Sequence, residues 1–152
     1  MKKRQRPDNL DLLRNVAPLS VVERHDPDRV RAATLTMLLA RSIAETLRNC
    51  EMTRTEVAQA MSEQLGESVT EAMLNKYAST ASEQHTIPAH RLVALTAVTK
   101  DARILNALLA EAGLIAIPQK YEALLRREMA REARERLDRE IDAAESEWKA
   151  SR

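Results

Sequence analysis

Apolar residues recur along this chain at helical spacing, and each recurrent run carries its own start and stop signals. The clearest run is Met52–Ser79. Thr53 and Glu56 form a T-x-x-E capping box, flanked by Met52 and Val57 in the positions of a hydrophobic staple. Val57, Ala58, Met61 and Leu65 share one face of the helix that this opens. Gly66 ends it, because glycine adopts the left-handed conformation at little cost. A second start follows, either an S-x-x-E box from Ser68 to Glu71 or a Thr70 cap stapled by Val69 and Leu74. Met73, Leu74 and Tyr77 make the buried face of the second helix, and Thr70, Glu71, Asn75, Lys76 and Ser79 its outer face. Two capped helices joined by a turn are a helix-turn-helix pattern, with Ala58 as the small residue where they approach and the second helix as candidate recognition helix. The stretch from Ser62 to Val69 is longer than the usual tight turn, and the same pattern also serves as a plain packing hairpin.

The neighbouring segments are helical too. Asp26-Pro27 is a capping Asp with Pro at the first helical position, and predicts a helix to about Asn49. Its stripe is Val30, Ala33, Met37, Ala40, Ala44 and Leu47, widened by Leu38 and Ile43. Thr80 to Ile87 is a polar loop. Pro88 opens another helix bearing Leu92, Val93 and Leu95. A last short helix spans about Asp101 to Ala112, with Ile104, Leu105, Leu108, Leu109 and Ala112 on one face and Gly113 as terminator. Leu114–Pro118 is an apolar strap expected to lie across the core.

From Gln119 onward the chain predicts one charged helix. Ala130, Ala133, Leu137, Ile141, Ala144 and Trp148 mark a thin stripe at about 3.6 residues per turn, the period of a nearly straight helix. Glu122–Arg126, Glu132–Arg136, Glu135–Arg139 and Glu145–Lys149 are i,i+4 pairs in the favourable order. Such a tail either associates with itself or a partner, or stands as a single extended helix.

Composition sharpens the fold class. Hydrophobic residues make up 44% of the 152, yet aromatics are 2% and Phe is absent. The core is therefore aliphatic, and with only two glycines and five prolines to make turns the fold is all-α. The expected organisation is a basic, largely flexible arm over residues 1–25, a compact helical helix-turn-helix domain over 26–113, and the strap with a long charged C-terminal helix over 114–152.

Net charge is +1 but unevenly spread. Residues 1–25 hold six basic and three acidic groups, residues 26–113 nine and eleven, and residues 114–152 nine of each. Lys2, Lys3, Arg4 and Arg6 suit an arm lying on phosphates or in a minor groove, or a solvated terminus. The helical domain alone is slightly acidic, which works against non-specific attraction to DNA.

No apolar run approaches the ~18 residues of a membrane span, and the basic start leads into polar sequence, unlike a signal peptide. Cys50 alone allows no internal disulfide and suits a reducing cytoplasm. Three histidines without ligand spacing, and no phosphate-binding or nucleophile motif, argue against an enzyme, a metal or a cofactor.

The run TRTEVAQAMSEQLGESVTEAMLNKYAS, followed by EQHTIPAHRLVALTAVTKDARILNALLAEAG, resembles small phage-encoded DNA-binding proteins of Mu-like transposable phages and their prophages. Phage CII-type lysogeny regulators are more distant relatives in style. The resemblance spans roughly Asp26 to Gly113 and implies an early-region helix-turn-helix protein acting in transcription control or in support of transposition. The recognition helix would be Thr70–Ser79. Asn75 would face adenine, Lys76 guanine or a phosphate, and Glu71 cytosine. Thr53, Arg54 and Gln59 would approach the flanking backbone. The expected partners are double-stranded DNA in the host cytoplasm and further copies of the chain on repeated half-sites. The rival is a protein-interaction adaptor that binds a phage or host protein through its helices, the C-terminal one included.

Overall fold

A computed structural model describes residues 21–81 and 85–152. Of the segment assigned above to a basic arm, residues 1–20, with Lys2, Lys3, Arg4 and Arg6, lie outside the described residues, whereas Val21 to His25 lie within them and His25 is buried. Among the described residues the fold is all-α. The helices are α1 (Pro27–Val30), α2 (Leu35–Asn49), α3 (Arg54–Leu65), α4 (Glu71–Tyr77), α5 (Ala89–Thr99), α6 (Arg103–Ala110) and α7 (Glu122–Ala150), the last preceded by a 3-10 turn at Gln119–Tyr121. The chain divides after Ala116 into a unit that holds α1–α6 and a second unit, Ile117–Arg152. None of the described helices is long and apolar enough to cross a membrane.

The single helix expected from Asp26 to Asn49 is two. Asp26 does cap, its carboxylate accepting the Asp28 N–H at 3.0 Å, but α1 stops after one turn where Arg31 becomes extended. Thr34, also extended, then caps α2 by accepting the Met37 N–H at 3.2 Å. The carbonyl of Arg31 accepts a hydrogen bond from the Arg41 guanidinium, so the break leaves that group satisfied. The restart changes the buried stripe. Leu39, Ala40, Ile43 and Leu47 line the core, and Ala33, expected inside, is exposed.

Within the first unit α2 packs on α1 and α6, and α3 on α4 and α5. Ile43, Val57, Met61, Leu74, Leu95 and Ile104 are all wholly buried in one core cluster. Each such aliphatic side chain contributes about 1.5–3 kcal/mol by leaving water. Val93, grouped with the apolar positions of its helix, faces solvent instead.

A polar seam runs beside this core. Glu45 on α2 is buried and receives Arg29 (2.9 Å), Arg48 (2.6 Å) and Asn49 (3.2 Å). Burial opposes its ionisation, but these donors prevail and hold its carboxyl below the ordinary value. At the corner between α5 and α6, Asp101 accepts from Thr46 Oγ1 at 2.7 Å and from Arg103 at 2.8 Å. The buried Asn106 amide ties the two ends of the unit together. It donates to the carbonyls of Glu23 (2.9 Å) and Ala116 (3.1 Å) and accepts the Ala116 N–H at 2.6 Å. The strap is also held at its start, where the Leu114 N–H donates to the Leu109 carbonyl at 2.9 Å, but the Leu114 and Ile115 side chains are more than half exposed and do not cross the core.

In α7 the pairs Glu122–Arg126 (2.6 Å) and Glu145–Lys149 (3.3 Å) form as expected. The other two do not. Arg136 turns to Glu140 (3.1 Å) and Glu135 receives Arg131 (3.2 Å), because in so dense a charge pattern each group has an oppositely charged neighbour one turn away on both sides.

Candidate nucleic-acid interface

The α3–turn–α4 unit is built from two side-chain caps. Thr53 accepts the Glu56 N–H at 3.3 Å, and the Glu56 carboxylate returns to the Thr53 N–H at 2.7 Å and to its hydroxyl at 2.8 Å. Hydrogen bonds from the Thr53 backbone and then its hydroxyl hold the Glu56 carboxyl below its ordinary pKa. Gly66 closes the helix at φ +67°, its N–H on the Ser62 carbonyl at 2.9 Å. Of the two starts open for the second helix, Thr70 is the cap, accepting the Met73 N–H at 3.2 Å, and both Val69 and Leu74 are buried as its staple. Ser62 stiffens the connection, its hydroxyl accepting the Val69 N–H at 2.9 Å. Thr53→Ala should therefore cost about 1 kcal/mol, read as a lower urea midpoint; an unchanged midpoint would show that the box adds nothing to the fold.

Helix α4 is shorter than expected. It spans seven residues, with Thr70 outside as cap and Ser79 two residues past its end. Ser79 is half-buried and lines a small hollow with Met37, Leu39 and His85, so it does not belong to the outer face. Thr70, Glu71, Asn75 and Lys76 are exposed, and Leu74 and Tyr77 are buried beneath them. That division is the one expected from the spacing.

The start of α3 leans on this outer face. Arg54 donates to the side-chain amide oxygen (Oδ1) of Asn75, and Thr55 to the Glu71 carboxylate at 2.6 Å. The Asn75 oxygen is therefore occupied, and a two-point contact with adenine needs it released from Arg54. Glu71 is likewise engaged. Lys76 is exposed and makes no ion pair among the described residues. Arg54 and Thr55 thus stand beside α4, whereas Thr53 bonds to Glu56 in its own capping box and Gln59 lies farther along α3 and donates to Glu63 at 3.1 Å.

A clamp that the periodicity does not reveal holds α4 from behind. Arg91 on α5 donates to Glu67 in the turn (2.7 Å) and to the Tyr77 hydroxyl at the end of α4 (2.7 Å), with His90 also on Glu67 at 3.1 Å. The hydrogen bond from Arg91, then that from His90, keeps the Glu67 carboxyl below its ordinary value. Arginine three residues after Pro88 was the available signal, but its partners lie 24 and 14 positions away.

No curated protein and no solved structure is significantly similar to the chain. A family likeness exists, and it is to the regulators placed above as the more distant relatives. Residues 43–133, from the middle of α2 through the whole helical pair and into α7, match the family described as phage regulatory protein CII (CP76), and the chain belongs to that family of phage regulators.

Proposed function

We propose that this phage regulator is a non-enzymatic, sequence-specific DNA-binding protein of a Mu-like phage or prophage, acting in early transcription control or in support of transposition. One observation carries the reading: α4 is buried along one side and clamped by Arg91, and it presents Thr70, Glu71, Asn75 and Lys76 outward beside Arg54. A short, rigidly backed helix with a polar outer face suits the major groove, and the neighbouring hydroxyl and guanidinium suit phosphate. So short a helix reads few bases, so two or more copies would act on repeated half-sites.

Binding to early-region phage DNA, measured against random DNA at two salt concentrations, tests the reading. Selective binding that weakens with salt is expected. Lys76→Ala should lower affinity and reduce the salt slope by about one unit if it meets a phosphate. Equal, weak binding to both DNAs would reject it. The adaptor reading would then lead, favoured by the exposed Leu137, Ile141 and Trp148 of α7, and charge reversal along Glu132–Arg139 would be the change that abolishes function.

A further inference from the structure

Helix α7 has 29 residues, none buried within its own unit. Leu137, Ile141 and Trp148 are each more than half exposed. Leu124, Leu125 and Met129 nearer its start are exposed as well, but the order of the stripe suits one particular cover. Ala130, Ala133 and Leu137 recur eleven residues later as Ile141, Ala144 and Trp148. An eleven-residue repeat is about 3.67 residues per turn, which keeps the stripe on one face of a nearly straight helix.

We propose that α7 pairs antiparallel with the α7 of a second copy of this chain, about a two-fold axis midway between Leu137 and Ile141. Size complementarity favours this arrangement. Antiparallel pairing centred there sets Leu137 against Ile141, Ala133 near Ala144, and the bulky Trp148 against the small Ala130, each contact made twice. A parallel pair would put Trp148 on Trp148 and Ala130 on Ala130, crowding one end and leaving the other open.

Charge points the same way. Residues 120–139 carry seven basic and five acidic groups, and residues 140–152 two and four. The half with net +2 meets the half with net −2 only when the helices run in opposite directions. In that register Arg134 of one copy lies near Glu145 of the other. The two acidic groups at the centre are already matched within their own helix, Asp138 with Arg134 at 3.8 Å and Glu140 with Arg136 at 3.1 Å.

The inference extends the oligomeric part of the functional reading, but it stands on α7 alone and is tested without DNA, so either can fail without the other. In the full chain carrying Cys50→Ser, single Ala133→Cys and Ala144→Cys variants would be oxidised separately and mixed. The two positions are about 16 Å apart along one helix. Cross-links should form in the mixture and be several-fold weaker in either variant alone. Strong self-cross-linking of each variant would establish a parallel pair and overturn the proposal. Leu137→Lys with Ile141→Lys should raise the dimer dissociation constant on the order of 100-fold in sedimentation. A dimer untouched by that double change, or a chain monomeric at every concentration, would equally overturn it.

Discussion

Asp101→Ala is expected to destabilise the helical unit by about 2–3 kcal/mol, below the 3–5 of a fully buried broken pair because the Arg103 side chain is 30% exposed. Asp101 itself is nearly covered, at 7% exposure. Its carboxylate holds three things at once: the Thr46 hydroxyl on α2, the Arg103 guanidinium, and the Arg103 backbone N–H at 2.9 Å at the start of α6. Alanine leaves a buried hydroxyl without its acceptor and removes the counter-ion of Arg103. Urea unfolding should show a lower midpoint at unchanged slope. A loss below about 0.5 kcal/mol, within the range of ordinary surface changes, would mean that this corner does not fasten α2 to α6.

The same corner sets the response to acid. Because Thr46 donates to Asp101, it accepts from His25 Nε2 at 3.3 Å, which assigns the proton to Nε2 and leaves Nδ1 buried without a partner among the described residues. Burial lowers the His25 pKa below its ordinary 6.5, against the pull of the Asp101 carboxylate. The unfolded chain therefore takes up this proton first, and stability, full above pH 6.5, declines as pH falls below it. For Asp101 burial works upward, but hydrogen bonds from Arg103 and Thr46 prevail and its pKa is depressed. Its contribution is present above the unfolded value near 3.8 and is lost as pH falls through the lower folded one. His25→Gln should flatten the first decline and leave the second.

Much of this architecture is legible because local chemistry writes it. Thr53 acts on Glu56 three residues on, and Gly66 on Ser62 four residues back, so the bounds of α3 follow from spacing alone. So do the exposed Glu71, Asn75 and Lys76 and the buried Leu74 and Tyr77 of α4, whereas the spacing leaves two starts open for α4 and places Ser79 on its outer face. What escapes the spacing depends on contacts distant in sequence. Val30 to Thr34 has no proline or glycine to break it, and the break is supported both by the Thr34 cap and by Arg41, which reaches back to the Arg31 carbonyl. Glu45, Thr46 and Asn106 look like solvent-facing positions until Arg29, Asp101 and Ala116 are brought to them by the fold. Asn75 reads as a free base-contacting residue for the same reason: nothing near it in sequence announces Arg54, 21 positions earlier.

Leu74→Ala should cost about 2–5 kcal/mol, since the side chain is wholly buried and its loss leaves a cavity in the core. Leu74 is the main anchor of α4, packed in the cluster that includes Val57, Ala58 and Met61 of α3. With seven residues, α4 has too few hydrogen bonds to persist without its buried face. Losing the anchor should therefore loosen α4 before the rest of the unit, visible as faster hydrogen exchange of its amides than of those in α2. This links stability to the proposed DNA contact. Lys76→Ala removes a surface charge and should leave the urea midpoint within about 0.5 kcal/mol, so any loss of DNA affinity belongs to the interface itself. Leu74→Ala touches no DNA, yet at temperatures where α2 and α6 stay folded it should weaken binding at least as much, by disordering the surface that Arg54, Asn75 and Lys76 share. If the variant loses the expected stability and still binds selective DNA with full affinity, α4 is not the element that reads it.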